Sequence, residues 1–179
     1  MQTLQIRNAI SSDIPHLTQL EHGYRTDHVW QMNVREAQEE LAISFREVRL
    51  PRPMRVKYPR NPSLLIDEWI LHSGFLVAER DGGVLGYIAF VDGPAPNAAW
   101  TTDLVVGHSD RRQGVGTQLL QTGIEWCKER NLQRLYVEMQ SKNYPAICLC
   151  KKIGMRFLGY SASYYPDLDI ALFFGLDVS

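Results

Sequence analysis

The sequence predicts an α/β fold in which helices flank a mixed sheet. Three observations carry that expectation. Two apolar runs, "FLVAER" and "VLGYIAFV", stand on either side of "DGG", the chemistry of a tight hairpin turn. Two segments with apolar residues at helical spacing, Thr117–Arg130 and one opening at Pro145, each follow a strand-like run. The resulting order, β-β-β-α-β-α-β-β, is that of a mixed sheet with helices packed on it.

Taken in order, "TLQIR" reads as a short first strand. Asp13 follows as a helix cap, with Pro15 in the first turn and Ile14, Leu17 and Leu20 on one face. The region 29–62 has two readings. Val34, Ala37, Leu41, Phe45 and Val48 fit a helical stripe, with Asn33 and Glu36 as a capping box. A hairpin covering "VWQMNV" and "ISFREVRL" fits as well, so an irregular or hairpin insertion is expected there within one domain spanning 1–179. "PRPMRVKYPRNP", with its prolines and basic residues, reads as an extended, solvated surface loop.

Beyond it come the hairpin at "DGG", a break at "GPAPN", and a third strand, "WTTDLVV". The helix from Thr117 places Leu120, Ile124 and Cys127 on a buried stripe. "RLYVEM" is a further strand. In the second helix Ala146, Leu149, Cys150 and Ile153 share a face, and Gly154 is the stop signal. "FLGYSASYY" and "DIALFFGLDV" are the closing strands.

Bulk properties narrow the function. The 179 residues suffice for one well-cored domain, and 45% hydrophobic with 22% charged residues argues against disorder. A formal net charge of −1 gives no global field to hold nucleic acid or an anionic membrane, so neither is an expected partner. The start lacks a basic region followed by an apolar one, and no apolar run approaches the ~18 residues a bilayer span requires. Three cysteines, Cys127, Cys148 and Cys150, fit reduced thiols in a cytoplasmic protein. Cys148 and Cys150 have no second ligand pair, and the five histidines show no metal-like spacing, so no metal is expected and the histidines read as surface groups.

The segment "SDRRQGVG", Ser109–Gly116, carries the most chemistry. It joins a buried strand to a helix. Its glycines allow close approach and positive φ, and the helix start offers unpaired N–H groups and the positive end of a dipole. That combination suits an anion, phosphate above all, with Arg111 and Arg112 adding charge; an ordinary turn with exposed arginines is the plainer alternative. It is neither a Walker loop nor a dinucleotide fingerprint, because the first lacks its lysine and the second would need glycine where Leu119 stands.

Two motifs in order make the chain resemble the GCN5-related N-acetyltransferase (GNAT) superfamily. "LVVGHSDRRQGVGTQLL" is similar to the family's strand, [Q/R]-x-x-G-x-[G/A] turn and helix, with Arg111, Gly114 and Gly116 in the defined places. "NYPAICLCKKIGMRFLGY" is similar to its second motif through Asn143, Ala146, Leu149 and Gly154. The resemblance spans about 1–178, weakly across 25–65. It implies a mostly antiparallel central sheet of about seven strands and acetyl-CoA as co-substrate, without metal. It further implies that the pyrophosphate sits on the amides of Arg112, Gln113, Gly114, Val115, Gly116 and Thr117, with the Arg111 side chain nearby. The pantetheine would pair with the backbone of Leu104, Val105 and Val106, and Asn143 would hydrogen-bond it. A homodimer is a common state in this family.

The implied reaction is direct attack of an amine on the thioester. Glu138, five residues before Asn143, resembles the general base of the ribosomal-protein N-terminal acetylating branch; Asp103 in "TTDLVV" competes for that role. Where the family carries tyrosine to protonate the leaving thiolate, this chain has Cys150. A thiol can donate a proton, and it can also simply pack; Tyr144, Tyr160, Tyr164 and Tyr165 are other donors. Tyr164 and Tyr165 are also candidate walls of the acceptor pocket. For the acceptor, the sequence resembles both streptothricin acetyltransferases and the protein N-terminal branch. A small-molecule amine is placed ahead of a peptide, and a non-catalytic acyl-CoA-binding module is the alternative outside catalysis.

Overall fold

The computed structural model describes residues 3–93 and 95–178. The expected break at "GPAPN" includes Pro94, which lies outside them. Nine strands form two sheets among the described residues. β1 (Gln5–Asn8), β4 (Gly74–Arg80), β5 (Gly83–Asp92), β6 (Ala98–Val106), β7 (Arg134–Gln140), β9 (Ala171–Asp177) and β8 (Arg156–Ser161) make the larger one, in that spatial order. Every neighbouring pair is antiparallel except β6 and β7, which run parallel. β2 (Tyr24–Ala37) and β3 (Glu40–Val56) form the second sheet, a separate long hairpin.

The central strands read as continuous apolar runs because both of their faces are covered. On β5, Ile88 and Phe90 point to one side, where α3 (Val115–Glu129) and α4 (Tyr144–Ile153) pack. Tyr87 and Ala89 point to the other, where α1 (Ile14–Thr18) and α2 (Leu65–Glu68) pack. The helix read from Thr117 begins two residues earlier, at Val115, and buries Leu119, Leu120, Gly123, Trp126 and Cys127 as one stripe. Trp126 stacks on Phe90 with 4.9 Å between ring centroids. α4 opens at Asn143–Tyr144 with Pro145 in its first turn and ends at Gly154, whose φ of 92° is the left-handed stop expected of it.

Asp13 does stand at the start of α1, but its side chain does not cap it. The carboxylate instead accepts two bonds from the Arg7 guanidinium (2.7 and 2.9 Å) and one from the Ile10 N–H (2.9 Å), which holds it below the usual carboxylate range.

Region 29–62 resolves in favour of the hairpin. The helical stripe through Val34 and Leu41 does not form, because Trp30 and Phe45 pack as a pair against Phe157, Phe174 and Tyr160 at the sheet's end. The Trp30 N–H donates to the Ser141 carbonyl at 2.9 Å, tying the hairpin to the segment before α4. The register jumps between Thr26↔Met54 and His28↔Arg49, so Leu50–Pro53 bulge out, as two prolines without N–H groups require. The stretch read as a solvated loop is strand up to Val56, and Val56 is buried.

Candidate active site

β6 and β7 pair from Ala98↔Arg134 to Thr101↔Val137 and then part, although β6 runs on to Val106 and β7 to Gln140. A bulge causes the divergence. β5 pairs Phe90 with Thr101 and Ala89 with Asp103, leaving Thr102 as the extra residue. The bulge also re-aims Asp103 to the face of the sheet that carries Tyr87. The gap is a narrow cavity of about 40 Å³, lined by Thr101, Leu104, Val137, Glu138, Met139, Asn143, Ala146 and Cys150 among others. The Thr101 hydroxyl is buried without a partner there.

Two arginines bound the open edge of β6. Arg60 donates to the Thr102 carbonyl at 2.7 Å, and Arg111 Nε donates to the Val106 carbonyl at 2.8 Å. Strand alternation turns Leu104 to the same side, so its N–H and C=O, with the Val106 N–H, form the unpaired stretch between them.

At the far end of β6 the backbone turns through His108–Asp110 into α3. Arg112 (φ 61°) and Gly114 (φ 87°) lie in the left-handed region. The helical bonding starts with Gln118 N–H to Gly114 C=O at 3.0 Å, which leaves the Val115, Gly116 and Thr117 amides at the helix mouth without intrahelical acceptors. Arg111, expected beside a phosphate, holds the Val106 carbonyl in this structure. Its guanidinium also donates to the Glu21 carbonyl, so it staples β6 to the segment before β2.

The other side of the gap opens into a cavity of about 890 Å³, whose lining includes Tyr58, Arg60, Glu68, His72, Tyr87, Thr102, Asp103, Tyr164, Tyr165 and Asp167. Tyr58, Pro59, Arg60, Thr102 and Tyr165 line both cavities and form the junction. Glu138 is buried beside it. Its Oε1 accepts from Arg60, and its Oε2 accepts from Trp100 Nε1 and, at 2.7 Å, from the Tyr164 hydroxyl. Burial takes hydration from Arg60, yet Asp103 and Glu138 hold its pKa above the ordinary range. The Tyr164 hydroxyl is pushed up to about 12, by burial first and Glu138 second. Asp103 is also buried, and Tyr58 donates to its Oδ1.

Thus the structure brings Leu104, Glu138, Asn143 and Cys150 around one gap, with the 111–117 turn at the far end of the same strand. Asn143 spends its carbonyl oxygen capping α4 (Ala146 N–H, 3.2 Å), leaving its NH₂ to donate elsewhere. Cys150 is fully buried, and desolvation pushes its thiol up to about 12. Sequence reasoning missed Tyr58, Arg60 and Tyr87 as site residues, and read Trp100 only as core or pocket wall. Charge in "RVKYPRNP" reads as solvated until β3 carries the loop over the sheet. His22, read as a surface group, is buried against Tyr58 and Tyr87. No group of three or more metal-ligating side chains and no helix long and apolar enough to cross a membrane occurs among the described residues.

A parted parallel strand pair, an amide-lined helix start along one strand, and an open cavity across the gap define a two-ligand cleft on a mixed sheet. The model of the acetyltransferase (GNAT) family matches residues 34–155, more than half the chain, and the chain belongs to that family. A Bacillus subtilis protein named as a candidate ribosomal protein bS18-alanine N-acetyltransferase is 33% identical over 96 residues, covering 54% of this chain and 62% of its own length. The match therefore spans less than two-thirds of that relative. Streptothricin acetyltransferase of Streptomyces lavendulae is 24% identical over 91% of this chain and 87% of its own. Among solved structures, nourseothricin acetyltransferase superposes with a TM-score of 0.83 at 22% identity, over 99% of this chain and 100% of that one. A Bacillus anthracis structure titled as a streptothricin acetyltransferase in complex with acetyl coenzyme A gives 0.76 at 18% identity, over 98% and 99%. At those identities the structures speak for the fold.

Proposed function

We propose that this protein is an N-acetyltransferase that moves the acetyl group of acetyl-CoA directly to a primary amine of a small molecule. One observation carries the reading: the open edge of β6 runs from the amide-lined mouth of α3 to the junction with the large cavity. A phosphate-bearing, extended thioester lying along that edge delivers its acyl end to the junction. The amides of Arg112–Thr117 take the diphosphate, the Leu104–Val106 backbone pairs the pantetheine, and the Asn143 NH₂ meets one of its amides.

In this reading Glu138 fixes the junction. Both of its oxygens already accept from donors, so it sets Arg60 and Tyr164 in place rather than reaching the amine itself. Cys150 packs the cleft wall. A proton held on a thiol at about 12 moves uphill to a leaving thiolate, whose reference value is ~8.5.

Support for a small acceptor comes from the Arg60–Glu138–Tyr164 contacts, which bridge the 57–62 and 162–168 loops where a peptide needs an open groove. The lining carboxylates Glu68, Asp103 and Asp167 suit a cationic amine and offset Lys57 and Arg60. The protein N-terminal alternative rests on the 33% identity to the bS18-type relative. The reading includes a cytoplasmic location and no nucleic-acid or membrane partner; a homodimer would show as a doubled mass in sedimentation.

Thiol release from acetyl-CoA decides among these readings, over a panel holding streptothricin, simple diamines and peptides with a free N-terminal alanine. Release with the small amines supports the proposal, and release with peptides alone supports the N-terminal reading. Tight CoA binding with no release on any amine overturns both and leaves a binding module.

A further inference from the structure

One polar group in the gap between β6 and β7 has nothing to bond. Thr101 is 1% exposed, and its hydroxyl has no hydrogen-bond partner among the described residues. A buried hydroxyl without a partner is costly, so a folded chain that keeps one calls for a reason. Thr101 closes the gap at its deep end, since Thr101↔Val137 is the last pair before the two strands part. Ala99 packs in the core beneath α3 and α4, and strand alternation sets the Thr101 side chain on that same face. The extra residue at Thr102 then lets Leu104, three positions on, share the face. Both line the gap together with Ala146 and Cys150 of α4.

The carboxylate and amide oxygens around the gap are already engaged. Both Glu138 oxygens accept from donors. Gln140 Oε1 accepts from the Tyr24 hydroxyl at 2.9 Å, and Asn143 Oδ1 from the Ala146 N–H at 3.2 Å. Val137, Met139 and Ala146 make the neighbouring wall apolar. The partner of the Thr101 hydroxyl therefore comes from outside the chain. A pantetheine running along β6 from the mouth of α3 places its acyl group deepest in the gap. A thioester carbonyl oxygen only accepts, and a threonine hydroxyl can donate to it.

We propose that the Thr101 hydroxyl donates to the carbonyl oxygen of the bound thioester and stabilises the charge which that oxygen carries during transfer. The inference rests on the acetyltransferase reading above. The lone pair of the amine forms the C–N bond, and the π pair of the C=O bond moves onto oxygen. The oxyanion accepts from Thr101, which keeps its own proton. On collapse the pair re-forms the C=O bond, and the C–S bond breaks with its electrons on sulfur. The proton shed by nitrogen reaches the thiolate through water. Once the acyl group occupies it, a gap of about 40 Å³ leaves no room for bulk water beside the oxygen. A fixed donor between apolar walls then weighs more than the same donor in solution.

The test replaces Thr101 by valine, which keeps the shape and removes the hydroxyl. On the best acceptor of the amine panel, kcat of Thr101→Val falls about a hundredfold, the scale of one lost oxyanion donor. Calorimetry shows acetyl-CoA binding weakened severalfold, whereas CoA, which has no thioester carbonyl, binds as it does to the wild type. A denaturant midpoint no lower than that of the wild type certifies the fold. Should Thr101→Val fail that check, Thr101→Ser and Thr101→Ala carry the test, because they differ from each other by the oxygen alone. The serine variant stays within about fivefold of the wild-type kcat, and the alanine variant loses at least a further tenfold. A wild-type rate in Thr101→Val, equal rates in the serine and alanine variants, or an equal loss of affinity for CoA and acetyl-CoA overturns the assignment. A wild type that acetylates no amine overturns the acetyltransferase reading instead. The comparison of acetyl-CoA with CoA then still reads the Thr101 contact, so the two failures are distinct.

Discussion

Gly114 stands at φ 87°, and an added Cβ there meets nothing within 4 Å. The constraint is therefore one of backbone conformation and not of space. Gly114→Ala carries about 1–2 kcal/mol of left-handed strain, which the chain relieves by rotating the amides that follow. The expected result is a KM for acetyl-CoA raised severalfold with a small change in kcat, read from steady-state kinetics. Cys150 is the opposite case, a residue whose surroundings argue against chemistry. It is sealed from water, its thiol sits at about 12, and burial is the sole cause of that shift. Cys150→Ala should retain kcat within about threefold while lowering the unfolding free energy by about 1–2 kcal/mol for the lost packing, as a denaturant midpoint reports. A rate loss of two decades would return the thiol to the reaction. The sequence displayed both residues at motif positions. What it could not show was Arg111 turning back to bond its own strand, because a carbonyl left open by strand divergence has no signature in residue order.

At the level of elements, α3 approaches β5 so closely that a Cβ on Gly123 would lie 2.6 Å from Phe90 Cζ. The Phe90 ring cannot retreat, being stacked on Trp126 at 13° between planes. Alanine would favour the helix by about 1 kcal/mol over glycine, but overpacking costs about 1–3 kcal/mol, so Gly123→Ala should destabilise on balance. The denaturant midpoint falls with an unchanged slope; a rise would mean that helix propensity decides here. The same competition explains which elements were legible. α3, α4 and the "DGG" hairpin obey local rules, namely a periodic stripe, a left-handed glycine stop and a tight turn, and each lies where those rules place it. The hairpin β2–β3 does not. "REAQEELA" is made of good helix formers, yet it is strand and turn, because Trp30 and Phe45 gain more by packing on Phe157 and Phe174 than the helix gains locally. Placing Tyr58 and Arg60 in the site depends on that packing, so the junction was hidden along with the hairpin.

For the molecule as a whole, a formal net charge of −1 supplies no long-range attraction for a polyanionic ligand. If CoA lies as proposed, its affinity comes from short-range contacts at the α3 mouth and along β6, and two consequences follow for the intact protein. Binding to the native state alone raises stability by about 2.7 kcal/mol when CoA is present at 100 times its dissociation constant. In a chain of this length each kcal/mol moves the melting temperature by roughly 2–4 °C, so a rise of roughly 5–11 °C is expected. The second consequence is that this rise should survive moderate salt. Amides held by a left-handed glycine keep their orientation whatever the ionic strength, whereas attraction by a diffuse field fades beyond about 8 Å at physiological salt. A rise abolished by moderate salt would mean that exposed charge, such as the Arg112 side chain, holds the ligand. No rise at all would remove the cradle. Gly114→Ala should reach the same rise only at severalfold more CoA, which ties the behaviour of the whole molecule to one backbone angle.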